Sequence, residues 1–377
     1  MALTRQLICE SAGRKLSAAV GTLASMPALI GLDGFVDEII AVVDKRLDLK
    51  RYEPMKTIDV FGRKITAAAG QSSNYELLVT QTKLGGNGPI MANALASAGL
   101  KVTYIGCLGY PTLHPVFADF AKRSKIYSIA EPGHTDALEF EDGKLMLGKH
   151  QTLGDINWDN MLVRVGKEEL VRLVSNSKLI GMVNWTMLPF MSEIWSKLQS
   201  EILPNCPKAE RTMFIDLADP EKRTHADIAA ALKIISGFQK SLSVILGLNL
   251  KESSEIAEVL GIPVPADAEG AIEKTAGAIR EKLGVSCVVI HPRKGAAAAT
   301  ATESASFAGP FVQQPKISTG AGDHFNAGFC VGRVLGLSLE ESLCAGVATS
   351  GYYVRTAASP SGKELADFVA NLPGPQN

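Results

Sequence analysis

The sequence lacks the features that mark several common classes of protein. Its 377 residues carry 38 basic and 39 acidic side chains without a basic block, so neither a nucleic-acid surface nor an anionic-membrane surface is indicated. The six cysteines form no CxxC pair and no metal-ligand spacing, and we interpret them as buried, reduced thiols. The apolar stretch 16–32 contains Pro27, is too short to span a bilayer and is not built like a secretory signal. These absences predict a cytoplasmic protein that acts on small molecules.

Two well-known glycine-rich phosphate loops are also missing. The cluster at 85–89, Gly-Gly-Asn-Gly-Pro, is not followed by Gly-Lys-Ser/Thr, so it is not the loop of a P-loop NTPase. The segment 318–329, STGAGDHFNAGF, has Phe325 where a dinucleotide fingerprint needs its third glycine, and it lies late in the chain. The pattern therefore argues against an NAD site.

That same segment is the most informative stretch of the chain, because a glycine turn there runs into a helical pattern. Small or apolar residues recur with a 3.6-residue period at Phe325, Gly328, Phe329, Gly332, Leu335 and Gly336. Helix N-termini leave backbone N–H groups free, so the amides of Gly320, Ala321 and Gly322 are predicted to bind an oxyanion. Asp323 then lies beside that anion, an arrangement that suits phosphoryl transfer to a hydroxyl. The structural alternative is that the glycines only form a turn and Asp323 only complements the helix dipole.

After residue 83, short β-rich runs alternate with helical patterns, which predicts an α/β fold with a mostly parallel sheet covered by helices. The predicted strands are Lys101–Gly106, Leu179–Val183, Met213–Asp216, Val244–Leu248 and Cys287–His291. The predicted helices are Pro89–Ala98, Lys167–Ser175, Glu193–Gln199, Ala226–Ile235, Glu252–Leu260 and Ala268–Leu283.

Two segments depart from this alternation. The stretch 58–81 is interpreted as strands around Phe61-Gly62 and Gly70, and 137–147 as a hairpin with a type I′ turn at Asp142-Gly143. We expect these strands to pair as a small lid; the alternative is a pair of peripheral hairpins without a functional part.

Two motifs in the right order resemble the signatures of the ribokinase-like (PfkB) carbohydrate and nucleoside kinases. The segment 83–109, KLGGNGPIMANALASAGLKVTYIGCLG, is similar to their N-terminal signature, and 318–329 is similar to their C-terminal signature. The resemblance extends to the opening ALIGLDGFVDEI, the element at 249–252 and the run VVIHPRKGAA. It implies a three-layer α/β/α fold over 1–377 as a single domain. It also implies a small β lid from about 55–82 and 136–148, which covers the acceptor and provides a homodimer surface.

The resemblance implies ATP and Mg²⁺ as cofactors and assigns roles that agree with the chemistry of the residues. Phosphoryl transfer requires positioning and charge stabilisation, which the Gly320 to Gly322 amides would supply. Asp323 would orient the acceptor hydroxyl and take its proton, and its place at a helix N-terminus is expected to favour the ionised form. Asn249 and Glu252 match the family's element near the metal, and Glu252 would hold Mg²⁺ through water. Without the family, the same pair is interpreted as a helix-capping box, and both roles are compatible.

Acceptor recognition is expected from early polar residues at the carboxyl edge of the sheet, where open α/β sheets place their ligands. The candidates are Asp33, Asp37, Gly85, Gly86 and Asn87, because carboxylates accept hydroxyl protons and glycines allow a polyol close to the backbone. An acid at a strand end is also a common turn former or N-cap, which is the alternative interpretation of both aspartates.

Two positions and one loop depart from the family pattern. Ile90 replaces a usual asparagine, which puts one acceptor contact in question, and Ile317 replaces an aspartate associated with monovalent cations in some members. The loop His291-Pro292-Arg293-Lys294-Gly295 replaces the usual threonine-and-glycine loop near the nucleotide phosphates and keeps Gly295, which is predicted to contact the nucleotide.

The sequence therefore predicts an ATP-dependent kinase that phosphorylates a hydroxyl of a small sugar or sugar derivative. Two other functions stay open. One is a nucleoside kinase of the same family, and the other is a catalytically silent relative that binds sugar or nucleotide.

Overall fold

A computed structural model describes residues 4–375, which form two β-sheets and thirteen α-helices. The larger sheet has nine strands in the order β14-β13-β12-β11-β10-β9-β1-β5-β6. These strands are β1 Pro27–Leu32, β5 Lys101–Gly106, β6 Lys125–Ser128, β9 Leu179–Val183, β10 Thr212–Asp216, β11 Ser243–Leu248, β12 Cys287–Ile290, β13 Gly295–Ala299 and β14 Ser304–Ala308. The strands from β6 to β12 are parallel, and β13 and β14 are antiparallel additions at one edge. The predicted mostly parallel sheet is confirmed.

Helices cover both faces of this sheet, so the predicted three-layer α/β/α fold is also confirmed. Strands such as β9 and β12 are buried along their whole length, as expected for a parallel sheet between two helical layers. One hydrophobic core includes side chains of α5 to α10, and the other includes side chains of α1, α3, α11, α12 and α13. The helices are α1 Arg5–Leu23, α2 Ile58–Ala67, α3 Asn87–Ala98, α4 Ala118–Ala121, α5 Trp158–Arg164, α6 Lys167–Asn176, α7 Met191–Lys197, α8 His225–Phe238, α9 Leu250–Val259, α10 Ile272–Leu283, α11 Ala321–Val334, α12 Leu339–Thr356 and α13 Gly362–Ala370.

The second sheet is larger than the sequence predicts. Its strands are β2 Phe35–Arg46, β3 Tyr52–Pro54, β4 Leu77–Gly85, β7 Gly133–Phe140 and β8 Gly143–Lys149. The order is β3-β2-β7-β8, and β4 also pairs with β2. The twelve-residue β2 is the centre of this sheet and lies outside the segments predicted for the lid.

Two local predictions in this region are wrong. The residues around Phe61 and Gly62 form helix α2 rather than a strand, because Thr57 caps the helix and Phe61 packs on the rings of Tyr75 and Phe140. The β7–β8 hairpin turns at 141–142, and Asp142 and Gly143 have no positive φ, so the turn is not type I′. The Asp142 carboxylate instead accepts the Ile58 amide at the start of α2, a tertiary contact that sets the turn.

Helix α11, which follows the glycine turn, packs tightly on α12. A Cβ on Gly328 would lie 2.2 Å from Thr349 Oγ1, and one on Gly332 would lie 2.7 Å from the Ser342 Cα, so both glycines permit the close approach of the two helices. This packing holds the start of α11 in a fixed place over the sheet. None of the helices between residues 4 and 375 combines the length and hydrophobicity needed to cross a membrane.

Candidate active site

The carboxyl edge of the parallel strands collects polar side chains from five consecutive strands. Each follows or ends its strand: Asp33 after β1, Asn184 after β9, Asp216 at the end of β10, Asn249 after β11 and His291 after β12. The strand order reverses at β1, since β5 and β6 lie on one side of it and β9 to β12 on the other. Open α/β sheets bind ligands at such a switch point, so this edge is the candidate site.

The glycine turn is as predicted, and it delivers the start of α11 to this edge. Gly320 caps the helix with φ of +87°, a value that favours glycine, and Asp323 lies in the first turn. The Ala321 amide donates to the Ser318 carbonyl at 3.1 Å. Of the three amides predicted to bind an anion, those of Gly320 and Gly322 are therefore the ones without an acceptor among the described residues.

Asp323 is buried, with 7% of its surface exposed, and its Oδ1 accepts a hydrogen bond from Asn87 Nδ2 at 3.0 Å. Burial, followed by the negative charge of Asp216, raises the pKa of Asp323 well above its ordinary value. In the free protein, burial and the Asp216 charge thus act against the preference of the helix N-terminus for the ionised form. A carboxyl group with a raised pKa at the mouth of an anion site has the property of a tuned general base.

Four buried acids accumulate at this edge: Asp33, Asp216, Glu252 and Asp323. Among the described residues, no lysine or arginine forms a salt bridge with any of them. Burial raises the pKa of Asp33 and of Asp216 to about 6, and burial together with the Asp216 charge raises the pKa of Glu252 to about 8. Such a cluster of buried acids with raised pKa values and no basic partner is typical of a functional site.

Asp33 organises the start of α3. Its carboxylate accepts the Asn87 and Gly88 amides at 3.0 and 2.8 Å and Asn184 Nδ2 at 2.7 Å, and it has no exposed surface. Gly86 has φ of +96°, which lets the chain turn over this carboxylate. The structure thus brings the predicted residues Asp33, Gly86 and Asn87 together. The structure also shows a contact that was not predicted, in which the Asn87 side chain binds Asp323.

Asp37 lies apart from these residues, on β2 of the second sheet. It is buried beside Thr135 and Lys83, and burial raises its pKa. A Cβ on Gly85 would lie 2.4 Å from the Asp37 carboxyl, so this glycine makes room for the acid. β2 begins two residues after Asp33 and β4 ends at Gly85, so the second sheet is joined directly to the proposed acceptor site. This connection supports the prediction that the sheet covers the acceptor.

Asn249 and Glu252 form the capping box of α9. Asn249 Oδ1 accepts the Glu252 amide at 2.9 Å, and Glu252 Oε2 accepts the Asn249 amide at 2.8 Å. Glu252 Oε1 also accepts the Asp219 amide at 2.8 Å. Within 4–375, no group of three His, Cys, Asp or Glu residues could hold a metal ion directly. The described part of this edge therefore contains no closed cage of three protein ligands for a metal ion.

A cavity of about 410 Å³ opens beside the anion loop. Its walls include Asn249 and Gly295, which are expected near the nucleotide, together with Gly322 of the anion loop and His291. His291 packs on the Phe325 ring with centroids 4.7 Å apart, and its buried Nε2 has no hydrogen-bond partner among residues 4–375. Strand packing also requires a glycine at position 295, since a Cβ there would lie 2.8 Å from the Phe307 carbonyl oxygen on the paired strand.

The sequence prediction missed Asn184, Asp216 and Asn326. Asn326 Nδ2 donates to Asp216 Oδ2 at 2.8 Å, and Asn184 adopts a positive φ of 64° beside Asp33. Asp216 ends a strand that the sequence predicts, so the rule that ligands lie at carboxyl ends of strands was the available signal. Asn184 and Asn326 have no comparable signal, because their partners are more than a hundred residues away in the sequence.

Comparisons with known proteins agree with this geometry. The sequence model of a family described as prokaryotic ketohexokinase matches residues 8–372. The chain is similar to a ketohexokinase of Haloferax volcanii, with 31% identity over 344 residues that cover 91% of this chain and 90% of the relative. It is also similar in structure to a mutant phosphofructokinase-2 of Escherichia coli, with TM-score 0.64, 16% identity and coverage of 92% of this chain and 98% of that chain. The ribokinase of Arabidopsis thaliana complexed with ribose and ATP gives TM-score 0.59, 18% identity and coverage of 91% and 98%. These two likenesses concern the fold.

Proposed function

The chain belongs to the prokaryotic ketohexokinase family, and we propose that its acceptor is a ketohexose, to which it transfers the γ-phosphoryl group of ATP. The chain is a ribokinase-like sugar kinase, a phosphotransferase with an alcohol group as acceptor. The ketohexose acceptor is supported by the family match, and the observation that carries phosphoryl transfer is the position of Asp323, a buried carboxyl with a raised pKa beside the free amides of Gly320 and Gly322. A base and an anion site at one helix N-terminus are what phosphoryl transfer to a hydroxyl requires.

In the proposed mechanism, Asp323 accepts the proton of the acceptor hydroxyl as this oxygen attacks the γ-phosphorus. Asn87 Nδ2 holds one carboxylate oxygen, which leaves the other free to face the acceptor. The amides of Gly320 and Gly322 stabilise the negative charge on the equatorial oxygens of the transferred group. Asp33 keeps the Asn87 backbone in place and so sets the position of the amide that holds the base.

The acceptor proposal is tested by ATP consumption over a panel of ketohexoses, aldohexoses, pentoses and nucleosides, with Asp323→Ala as the inactive control. We expect kcat/KM for a ketohexose to exceed that for the other acceptors by about tenfold or more. A nucleoside as the best acceptor would contradict the proposal in favour of the nucleoside kinase. Binding of a sugar without any turnover would identify a catalytically silent relative.

We also infer that Glu252 holds Mg²⁺ through water. The inference is supported by the four buried acids without a basic partner and by the two backbone amides that fix both Glu252 oxygens. When bound, Mg²⁺ would neutralise charge on the nucleotide phosphates. The capping box then serves as the element that orients the acid toward the metal's waters.

For Glu252→Gln, the Mg²⁺ concentration that gives half-maximal turnover is expected to rise by about tenfold, as is typical when an outer-shell partner of a metal is lost. Glutamine keeps one oxygen for the backbone amides, so a loss of only about 1 to 3 kcal/mol in the free energy of unfolding is expected. Glu255→Gln is the matched control, because Glu255 lies on the same helix and faces Lys251. An unchanged Mg²⁺ requirement in Glu252→Gln would show that the residue only caps α9.

A further inference from the structure

A chain of hydrogen bonds runs from the surface to the carbonyl of Gly320. Arg123 Nη2 lies 2.6 Å from Asn93 Oδ1, and Asn93 Nδ2 lies 3.4 Å from Ser359 Oγ. Ser359 Oγ lies 2.8 Å from His324 Nε2, and His324 Nδ1 lies 2.7 Å from the Gly320 carbonyl oxygen. These hydrogen bonds thus join the turn after α4, helix α3 and the segment after α12 to the anion loop.

Each donor in this series of hydrogen bonds points toward the Gly320 carbonyl. A carbonyl only accepts, so His324 Nδ1 must carry the proton and Nε2 must accept. The Ser359 hydroxyl therefore donates to His324, which leaves its oxygen free to accept from the Asn93 amide. Both imidazole nitrogens are satisfied in one tautomer. Burial lowers the pKa of His324 to about 4, so the ring stays neutral and keeps that tautomer at neutral pH.

Tyr353 fixes the neighbouring peptide. Its ring stacks on His324 with centroids 3.6 Å apart and planes 12° apart, and its hydroxyl donates to the Thr319 carbonyl at 3.0 Å. The Thr319 carbonyl and the Gly320 amide belong to one planar trans peptide, so their directions are opposite and rigidly linked. A hydrogen bond that holds the carbonyl on the Tyr353 side therefore aims the Gly320 N–H to the other side of the loop.

We propose that Tyr353 and His324 are positioning residues of the phosphoryl-transfer site. Tyr353 aims the free Gly320 amide at the transferred group through the Thr319 carbonyl, and His324 holds the Gly320 carbonyl, so that the peptides on both sides of Gly320 are fixed. The proposal rests on the proposed function of this loop. Gly320 needs such support because a glycine at a positive φ has wide conformational freedom. Both residues act through the backbone of 319–320.

The test uses Tyr353→Phe, which keeps the stacked ring and removes only the hydroxyl. Tyr352→Phe is the matched control, because the neighbouring hydroxyl contacts Glu364 on the surface. We expect Tyr353→Phe to lower kcat by about tenfold, less than the ~10²–10³ that follows the deletion of an oxyanion donor. The acceptor KM should stay within about twofold, because the amide stabilises the transition state more than the ground state.

A binding measurement separates this role from a structural one. Affinities of wild type and variants are measured for ADP and for the transition-state mimic ADP with aluminium fluoride and sugar. Tyr353→Phe should weaken the binding of the mimic by about the factor by which it lowers kcat/KM, and it should leave the affinity for ADP unchanged. His324→Phe should act in the same direction, and His324→Asn, whose amide can replace the Nδ1 donor, should recover part of the loss.

Three outcomes would overturn the proposal: equal kinetics of Tyr353→Phe and Tyr352→Phe, equal weakening of ADP and the mimic, or a loss of kcat that matches a loss of folded protein. Wild-type protein without turnover on any acceptor would instead defeat the proposed function. Active wild type with a fully active Tyr353→Phe would defeat only the positioning role.

Discussion

Asp323→Asn is expected to lower kcat by about 10² to 10⁴, the range typical for the loss of a general base. Asparagine has the same shape but cannot accept the acceptor's proton. The Asn87 amide still finds an oxygen at this position, so the loop should keep its geometry. Steady-state kinetics at saturating sugar and ATP measure the effect, and ADP binding should be retained.

The stability of this variant distinguishes a catalytic role from a structural one. Burial and the charge of Asp216 oppose the ionised form of Asp323, so its replacement by a neutral amide should leave the melting temperature unchanged or raise it. The alternative in which Asp323 only complements the helix dipole gives the opposite pattern, with lower stability and near-normal turnover. Activity within about tenfold of wild type would exclude the role as base.

The sheet could be predicted from the sequence because its signal is local. Buried parallel strands are mostly apolar runs, and the predicted Lys101–Gly106 and Leu179–Val183 have the bounds found in the structure. The signal for the start of α11 is also local, since a glycine with positive φ and a first-turn acid lie close together in the sequence. The capping box of α9 is a four-residue pattern and was equally visible.

What the sequence could not predict depends on contacts between distant segments. Helix α2 contains Gly62, which weakens its helical signal, and it is stabilised by Phe61 packing on the rings of Tyr75 and Phe140. The contact between Asn87 and Asp323 joins residues 236 positions apart. The raised pKa of Asp323 likewise arises from burial and from Asp216, neither of which is encoded in the segment 318–329.

The dependence of Asp323 on Asp216 leads to a prediction about pH. The reaction needs ionised Asp323, and the pKa of this group is raised, so kcat/KM should fall as the pH decreases through that pKa. The acid limb of the pH profile, where kcat/KM falls with decreasing pH, should therefore lie well above the pH at which an ordinary carboxyl titrates. In Asp216→Asn the neighbouring negative charge is gone, ionisation of Asp323 is easier, and the acid limb should move to lower pH.

A shift of up to about one pH unit is expected, since one unit corresponds to about 1.4 kcal/mol, a reasonable energy for two charges at a partly buried site. Asparagine at 216 keeps an oxygen for the Ala218 amide, and its NH₂ can pair with Asn326 Oδ1, which has no partner in the structure. The variant is thus expected to fold. A profile of kcat/KM from pH 5 to pH 9 gives the midpoint of the acid limb, which does not depend on the maximal value of kcat/KM.

Asp219→Asn is the matched control for this profile. Asp219 lies three residues further along the chain, but it pairs with Lys222 and Lys251 and is absent from the groups that raise the pKa of Asp323. Its acid limb should coincide with that of wild type. If Asp216→Asn leaves the limb in place or moves it upward, a group other than Asp323 limits the reaction at low pH, and the assignment of the base must change. If the limb moves downward only in Asp216→Asn, Asp323 is the titrating base and the buried acids act on it as one coupled system.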